Sequence, residues 1–269
     1  FYCISTSGNL RPMKYQNLTL NMHKKIGGIT INRPTKHNAL NRETLAELHE
    51  ALVGYEEDNR VRVVVLTGAG DTAFVAGADI RELSDLSAQE GATLAKEGNE
   101  KVFDYIEHYN KAVIAAVNGY ALGGGLELAM ACHLRVFVDT AKVGMPETSL
   151  GLIPGYGGTQ RLAQLVGRGR AMEILLTANM LDASRAYEIG LANRVCAAVD
   201  LQSTVHELAN EIIKNAPQAQ QQLLAAVQAG YEPNTDGFAA ETEAFSVCFD
   251  SENFRQGVTA FLQKRPPKF

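Results

Sequence analysis

The sequence is poor in several features that would each have pointed to a function. Cysteine is scarce: Cys3, Cys132, Cys196 and Cys248 are scattered, with no CxxC pair and no metal-ligand spacing. Such thiols are expected to be reduced and mostly buried, as in a cytoplasmic compartment, and no metal is expected. Lys and Arg (25) are outnumbered by Asp and Glu (30), for a formal net charge of -5. No basic block or stripe stands out, which disfavours a nucleic-acid partner. Long apolar runs are missing too. Even 112–132 is broken by Asn118, three glycines and Glu127, so no membrane span is expected. The opening "FYCISTSGNL" lacks a charged start followed by an apolar stretch and makes a poor signal peptide. Residues 1–12 read as a disordered or vector-derived segment ahead of Met13.

What is present suits a globular enzyme. A chain of 269 residues, 46% hydrophobic and 20% charged, can bury one large core with room for an appendage. "GGITINRP" (27–34) alternates into a strand that stops at Pro34. "NRETLAELHEALVGYEED" (41–58) follows, with Leu45, Leu48, Leu52 and Tyr55 at helical spacing and Asn41 as a natural N-cap. "VRVVVLTG" (61–68), "AVIAAVNG" (112–119) and "HLRVFVDT" (133–140) read as buried strands. Residues 84–110 are helical in pattern, with a polar first part (84–100) that reads as a surface segment. Strands alternating with helices predict a layered α/β fold with a largely parallel sheet. Beyond Met172 the pattern becomes mainly helical: 182–190, 201–215, 217–230 and 237–249. The expected division is a core over 13–200 and a helical region over 201–269.

"VVVLTGAGDTA" (63–73) carries G-x-G-x-x-A after a strand, a loose dinucleotide fingerprint. That fingerprint needs a helix starting at the glycines and, about 20 residues on, an acidic residue ending a second strand. Here "GAGDTAFVAGADI" runs into another apolar stretch, and "DLSAQEGATL" (85–94) is no strand. Hydride transfer is therefore disfavoured.

Three glycine clusters at strand–helix boundaries carry more: "FVAGADI" (74–80), "ALGGGLEL" (121–128) and "GLIPGYGGTQRL" (151–162). Tight helix-on-sheet packing would explain any one of them. Together they suit a site where backbone N–H groups must approach a bound oxygen. Glu127 sits among Leu126, Leu128, Met130 and Ala131, where an unpartnered carboxylate would be costly, so a water or a second carboxyl should share its space. Glu147 follows Pro146, on a loop or in a first helical turn, with Val143, Met145 and Leu150 near it in sequence. It can be a charge at a helix start, or a carboxyl whose pKa is raised by lost hydration into the range of a proton donor.

"FVAGADIREL", "AAVNGYALGGGLELAMAC" and "MPETSLGLIPGYGGTQRL", in this order, resemble the crotonase superfamily, specifically its enoyl-CoA hydratases. "ITINRPTKHNAL" (29–40) and "GVTAFLQKRPPKF" (257–269) extend the resemblance over nearly the whole chain from Met13. It implies a spiral of ββα units with a C-terminal helical region that builds a homotrimer, commonly paired into a homohexamer. It implies acyl-CoA thioester substrates, as in fatty-acid β-oxidation, with coenzyme A as part of the substrate and no separate cofactor. Carried over, Ala78 and Gly124 would supply the oxyanion-hole amides, and Glu127 and Glu147 the catalytic carboxyls. Lys36, His37, Asn38, Ala39, Leu40, Ala76, Asp79 and Ile80 would line the CoA path. Phe261 and Lys264 would reach the CoA from the C-terminal helix, of the same or a neighbouring subunit.

Hydratases that resemble this chain keep Glu at both catalytic positions, so hydration of trans-2-enoyl-CoA is the expected reaction. Δ3,Δ2-enoyl-CoA isomerisation, with Glu147 moving a proton between C2 and C4, is the alternative. A specialised hydratase of branched, aromatic or methylglutaconyl-type substrates stays open. Some relatives bind RNA, against which the acidic balance weighs. His133 stands where the family often has Asp, a departure expected to be structural.

Overall fold

The computed structural model describes residues 15–269, so the segment 1–12 singled out above lies outside the described residues. In chain order the strands are β1 (Leu18–His23), β2 (Ile26–Ile31), β3 (Val63–Gly68), β4 (Ala73–Val75), β5 (Ala112–Val117) and β6 (Tyr120–Leu122). β7 (Leu134–Val138), β8 (Lys142–Gly144), β9 (Leu181–Asp182) and β10 (Arg194–Cys196) complete them. The helices are α1 (Arg42–Glu57), α2 (Ile80–Leu83), α3 (Ala88–Gly98), α4 (Asp104–Glu107), α5 (Gly124–Ala131) and α6 (Gly158–Val166). α7 (Arg168–Thr177), α8 (Ala183–Glu188), α9 (Leu201–Ile213), α10 (Pro217–Ala229), α11 (Gly237–Phe249) and α12 (Glu252–Leu262) follow. None is long and apolar enough to cross a membrane, among the described residues.

The strands form two sheets. One runs β1-β2-β3-β5-β7-β10, antiparallel only between β1 and β2; the other runs β4-β6-β8-β9, antiparallel only between β8 and β9. The pairs β3/β4, β5/β6 and β7/β8 each give one strand to each sheet before the chain turns into helix. Three such ββα turns stack into a spiral. The long strands expected from sequence are all found, as neighbours in the first sheet. Their β-branched and alanine side chains are buried because helices and the second sheet cover both faces, as parallel strands require. The short strands of the second sheet escape sequence reading. Three residues between glycines carry no usable period.

Asn41 caps α1 as expected, its side chain accepting from the Thr44 amide, and Leu45, Leu48, Leu52 and Tyr55 are buried below it. G-x-G-x-x-A proves to be a loop: after Gly68 the chain passes straight into β4, with no helix to receive a phosphate. Within 84–110, Ser87 and Glu90 form a reciprocal capping box at the start of α3. A π turn, Asn99–Phe103, then leads into α4. At the C-terminal end α9 packs on β3, β5 and β7 through Leu201, Val205 and Ala209. α10 to α12 bury almost nothing: Ala260 is their one buried residue among the described residues.

Candidate active site

Glu127 lies in the first turn of α5, every residue of which is buried. It has no solvated face to use and is 1% exposed. The bend into this helix is made by Gly123 (φ 51°, ψ -125°), a conformation that favours glycine. Gly125 leaves no room for a Cβ against the Val75 carbonyl, so α5 seats directly on β4. The partners of Glu127 come from the third glycine cluster. Its Oε1 accepts from the Tyr156 amide at 2.7 Å and the Gly158 amide at 2.8 Å. That leaves Oε2 for whatever occupies the cavity. Sequence reading expected a polar partner for Glu127 and placed this cluster at the site, but gave it no role.

Glu147 opens a 3-10 turn (Glu147–Leu150) behind Pro146. The turn brings its carboxyl over the same bend: a Cβ on Gly123 would lie 2.5 Å from Glu147 Oε1. Its Oε2 is buried with no protein hydrogen-bond partner among the described residues. An orphaned carboxyl oxygen there calls for a proton or a bound water.

Ala78 sits beside Leu40 in an isolated parallel bridge. Leu40 bonds to the residues on either side, donating to the Gly77 carbonyl and accepting from the Asp79 amide. The Ala78 amide therefore turns away from that bridge. Gly124, at the N-terminus of α5, brings its Cα face to 3.5 Å from the Ala78 nitrogen, measured from an ideal Cβ. Neither amide donates to another protein group among the described residues. Two adjacent free N–H groups, one at a helix N-terminus, suit an oxygen that gains negative charge.

These groups share one cavity of about 470 Å³, which Ala78, Gly124, Glu127 and Glu147 all line. Its walls are apolar: Leu83, Leu86, Leu94 and Ala95 from α2, α3 and the turn between them, Ile153 and Tyr156 from the third cluster. The segment 84–100, a surface segment by its polar pattern and a cover for the acyl chain by the family resemblance, thus supplies one wall. Burial pushes the Glu127 pKa up to about 7, aided by the nearby Glu147 charge and opposed by the two amides and the Arg161 guanidinium. Burial raises Glu147 as well. Two carboxyls displaced upward beside one cavity, Glu127 to near neutrality, are equipped to exchange protons.

The raised Glu127 has a consequence for stability. Its folded-state pKa lies above the ordinary 4.5, so its contribution is present below that value and is lost as pH climbs through about 7. A displacement of this size corresponds to about 3 kcal/mol. Glu127→Gln is therefore expected to gain on the unsubstituted chain by about that amount between about pH 5 and about pH 8, read by urea unfolding at fixed protein concentration. A difference that does not change with pH would remove the burial cost assigned to this carboxylate.

The other expected site residues divide. Ala76 and Ile80 line the cavity. Lys36 and His37 are exposed at the end of a 3-10 turn, where His37 and Asn38 take left-handed backbone angles (φ 48° and 58°). Asn38 is buried and structural: its side chain accepts from the Arg33 amide and donates to the Ala69 and Ala73 carbonyls. Ala39 is half-buried, its carbonyl held by Arg33, and Leu40 is buried. The Asp79 carboxylate is held by Arg33 at 3.0 Å, and its backbone amide and carbonyl bond to Leu40 and Glu82. Phe261 and Lys264 are not brought to this cavity within the chain. Phe261 is 82% exposed and borders a separate apolar hollow with Phe254, Leu262 and Phe269. His133 accepts from the Val113 amide through Nδ1, and burial holds its pKa down to about 4, which keeps the ring neutral. No cluster of three or more metal-binding side chains occurs among the described residues.

The model of the enoyl-CoA hydratase/isomerase family matches residues 21–269. The chain belongs to that family. A protein named short-chain-enoyl-CoA hydratase from Clostridium acetobutylicum is 44% identical over 254 residues, covering 94% of this chain and 97% of its own length. Crotonyl-CoA hydratase from Syntrophomonas wolfei is 43% identical, covering 96% of this chain and 99% of its own. A crystal structure of enoyl-CoA hydratase from Bacillus anthracis superposes with a TM-score of 0.88 at 34% identity, over 94% of this chain and 99% of that one. The fold is the crotonase spiral of this family, with its C-terminal helices.

Proposed function

We propose that the chain is an enoyl-CoA hydratase, adding water across the double bond of a trans-2-enoyl-CoA to give the 3-hydroxyacyl-CoA. The observation that carries this reading is the pairing of a buried carboxyl, Glu127, and a half-buried one, Glu147, with two unengaged amides on one apolar cavity. The Ala78 and Gly124 amides take the thioester oxygen, draw electrons from the double bond and make C3 electrophilic. Glu127 and Glu147 hold one water between them. Glu127, anchored as a carboxylate by two amides, accepts the proton of the water that attacks C3. Glu147, whose Oε2 has no protein partner, returns a proton to C2. Atoms balance without a redox step: one water enters, with its hydroxyl on C3 and a proton on C2. Because coupled carboxyls share protons, the pair titrates as a unit.

Isomerisation needs only one carboxyl to move a proton between C2 and C4, which would leave Glu127 without a task. Lys36 to Leu40, Ala76, Asp79 and Ile80 would follow the CoA by backbone and edge contacts. Phe261 and Lys264, exposed at the end of the chain, would meet the CoA of a neighbouring copy. The apolar side chains bared on α10 to α12, Leu223, Phe238, Phe245 and Leu262 among them, fit burial in a homotrimer or homohexamer. The substrate family is that of the relatives named for short-chain and crotonyl thioesters. The test is a rate profile on trans-2-enoyl-CoA thioesters from four carbons upward, beside a 3-enoyl-CoA. Loss of the conjugated enoyl absorbance with crotonyl-CoA is the expected result. Formation of 2-enoyl-CoA from the 3-enoyl thioester, with no hydration of crotonyl-CoA, would overturn it in favour of the isomerase.

A further inference from the structure

Glu127 is held by a loop, and that loop is itself held from behind. Residues 155–158 carry the two amides that bond to Glu127 Oε1. They are gripped along their length by one helical segment, from the end of α3 through the π turn to α4. Gly98 has no space for a Cβ against the Tyr156 ring. Asn99 Nδ2 donates to the Gly155 carbonyl at 3.1 Å. Phe103 stacks on Tyr156, with ring centres 4.5 Å apart and planes 7° from parallel. The last contact is made by a charge. Arg161, only 5% exposed, donates through Nη1 to the Tyr156 carbonyl at 2.7 Å. Its Nη2 donates to Asp104 Oδ1 at 2.6 Å and Glu107 Oε2 at 2.5 Å, and Nε to Glu107 Oε2 at 2.9 Å.

We propose that Arg161 is a positioning residue for hydration: it ties the Tyr156 carbonyl to α4 and so keeps the Tyr156 and Gly158 amides on Glu127. This rests on the hydratase reading and assigns a role to a residue that does not touch substrate. The peptide unit is planar, so fixing a carbonyl on one side of a residue limits where the neighbouring amides can point. Three acceptors around one guanidinium fix its plane, a task its forked donors suit and an ammonium does not. Around Glu127 the charged and titratable groups are Glu147, the Tyr156 hydroxyl and Arg161. Around Arg161 they are Asp104 and Glu107 on α4, and His133 and Arg135, which line the cleft behind it.

The experiment is the pH dependence of kcat and KM for crotonyl-CoA hydration in three variants. Arg161→Met is expected to lower kcat by about 10- to 100-fold with KM within about threefold, because the bond network lost acts on the reacting carboxylate. Its acidic limb, set by the carboxyl pair, should move to higher pH, since the cation favouring ionised Glu127 is gone. Arg161→Lys should return the limb toward its original place while recovering only part of kcat. Asp104→Asn with Glu107→Gln leaves the guanidinium charge unopposed and should move the limb the other way, to lower pH. Unchanged kcat and an unmoved limb in Arg161→Met would overturn the proposal. So would a loss of kcat in all three variants with the limb fixed, the mark of a merely structural residue. If Arg161→Met does not fold, the Asp104→Asn, Glu107→Gln variant decides alone: a downward limb supports the role and a fixed limb overturns it. An unsubstituted chain that fails to hydrate crotonyl-CoA would instead overturn the hydratase reading itself.

Discussion

Glu127→Gln and Glu147→Gln are each expected to lower hydratase turnover by about 10²- to 10⁴-fold, the range for groups that move protons in the transition state. Gln is the informative replacement because it keeps the shape and an acceptor oxygen. At Glu127 that oxygen can still take the Tyr156 and Gly158 amides, so the loop stays in place while the proton acceptor is lost. At Glu147 the orphaned Oε2 marks the position where chemistry, rather than folding, needs the carboxyl. The expected profile is a fall in kcat with little change in KM. The double variant should lose little more than the worse single one, because both groups act on one water. Independent, multiplying losses would contradict a shared water, and near-normal turnover in either single variant would remove that residue from the mechanism.

Gly124→Pro is expected to cost at least about 10²-fold in kcat, the effect of deleting one oxyanion donor. Position 124 is the one glycine of its cluster where this can be tried cleanly. Gly125 faces the Val75 carbonyl and Gly123 faces Glu147, so neither accepts a side chain. At Gly124 an added Cβ meets only ordinary contacts, 3.5 Å from Ala78 N and from Tyr156 Cδ2. Proline also suits the first position of a helix, where its missing N–H breaks no helical bond. Gly124→Ala, which keeps the N–H, serves as the control and should stay within a few-fold of the unsubstituted rate. A folded proline variant, intact by circular dichroism and of full activity, would withdraw Gly124 from the oxyanion hole. A similar loss in the alanine control would point to crowding instead.

Much of the frame was legible before any coordinates. Long β-branched runs and a helix with apolar side chains at every third or fourth place report their own burial, because period alone decides which face is covered. The second sheet was not legible. Its strands are two or three residues long and are strands only because a neighbouring segment pairs with them. At the site, the oddity of Glu127 could be read from its apolar neighbours, and Glu147 was separated from an ordinary helix-start charge only by the family resemblance. Arg161 left no such mark. Its partners Asp104 and Glu107 lie 57 and 54 residues away, and no local pattern joins them. The segment 84–100 is polar in its own pattern, and only the family resemblance set it over the acyl chain; it lends its few apolar side chains, Leu86, Leu94 and Ala95, to the wall of the cavity.

The sequence by itself determined the class of fold, the sites of the glycine-bent turns and the one carboxyl, Glu127, whose apolar neighbours leave it no ordinary place. These are local matters of period, backbone freedom and hydration. Only the tertiary structure decided that the third glycine cluster feeds its amides to Glu127, that the orphaned oxygen belongs to Glu147, and that Arg161 stands behind the loop. The physical reason is that a hydrogen bond or an ion pair depends on where two groups meet in space. In a spiral the groups that meet come from successive turns, dozens of residues apart in the chain.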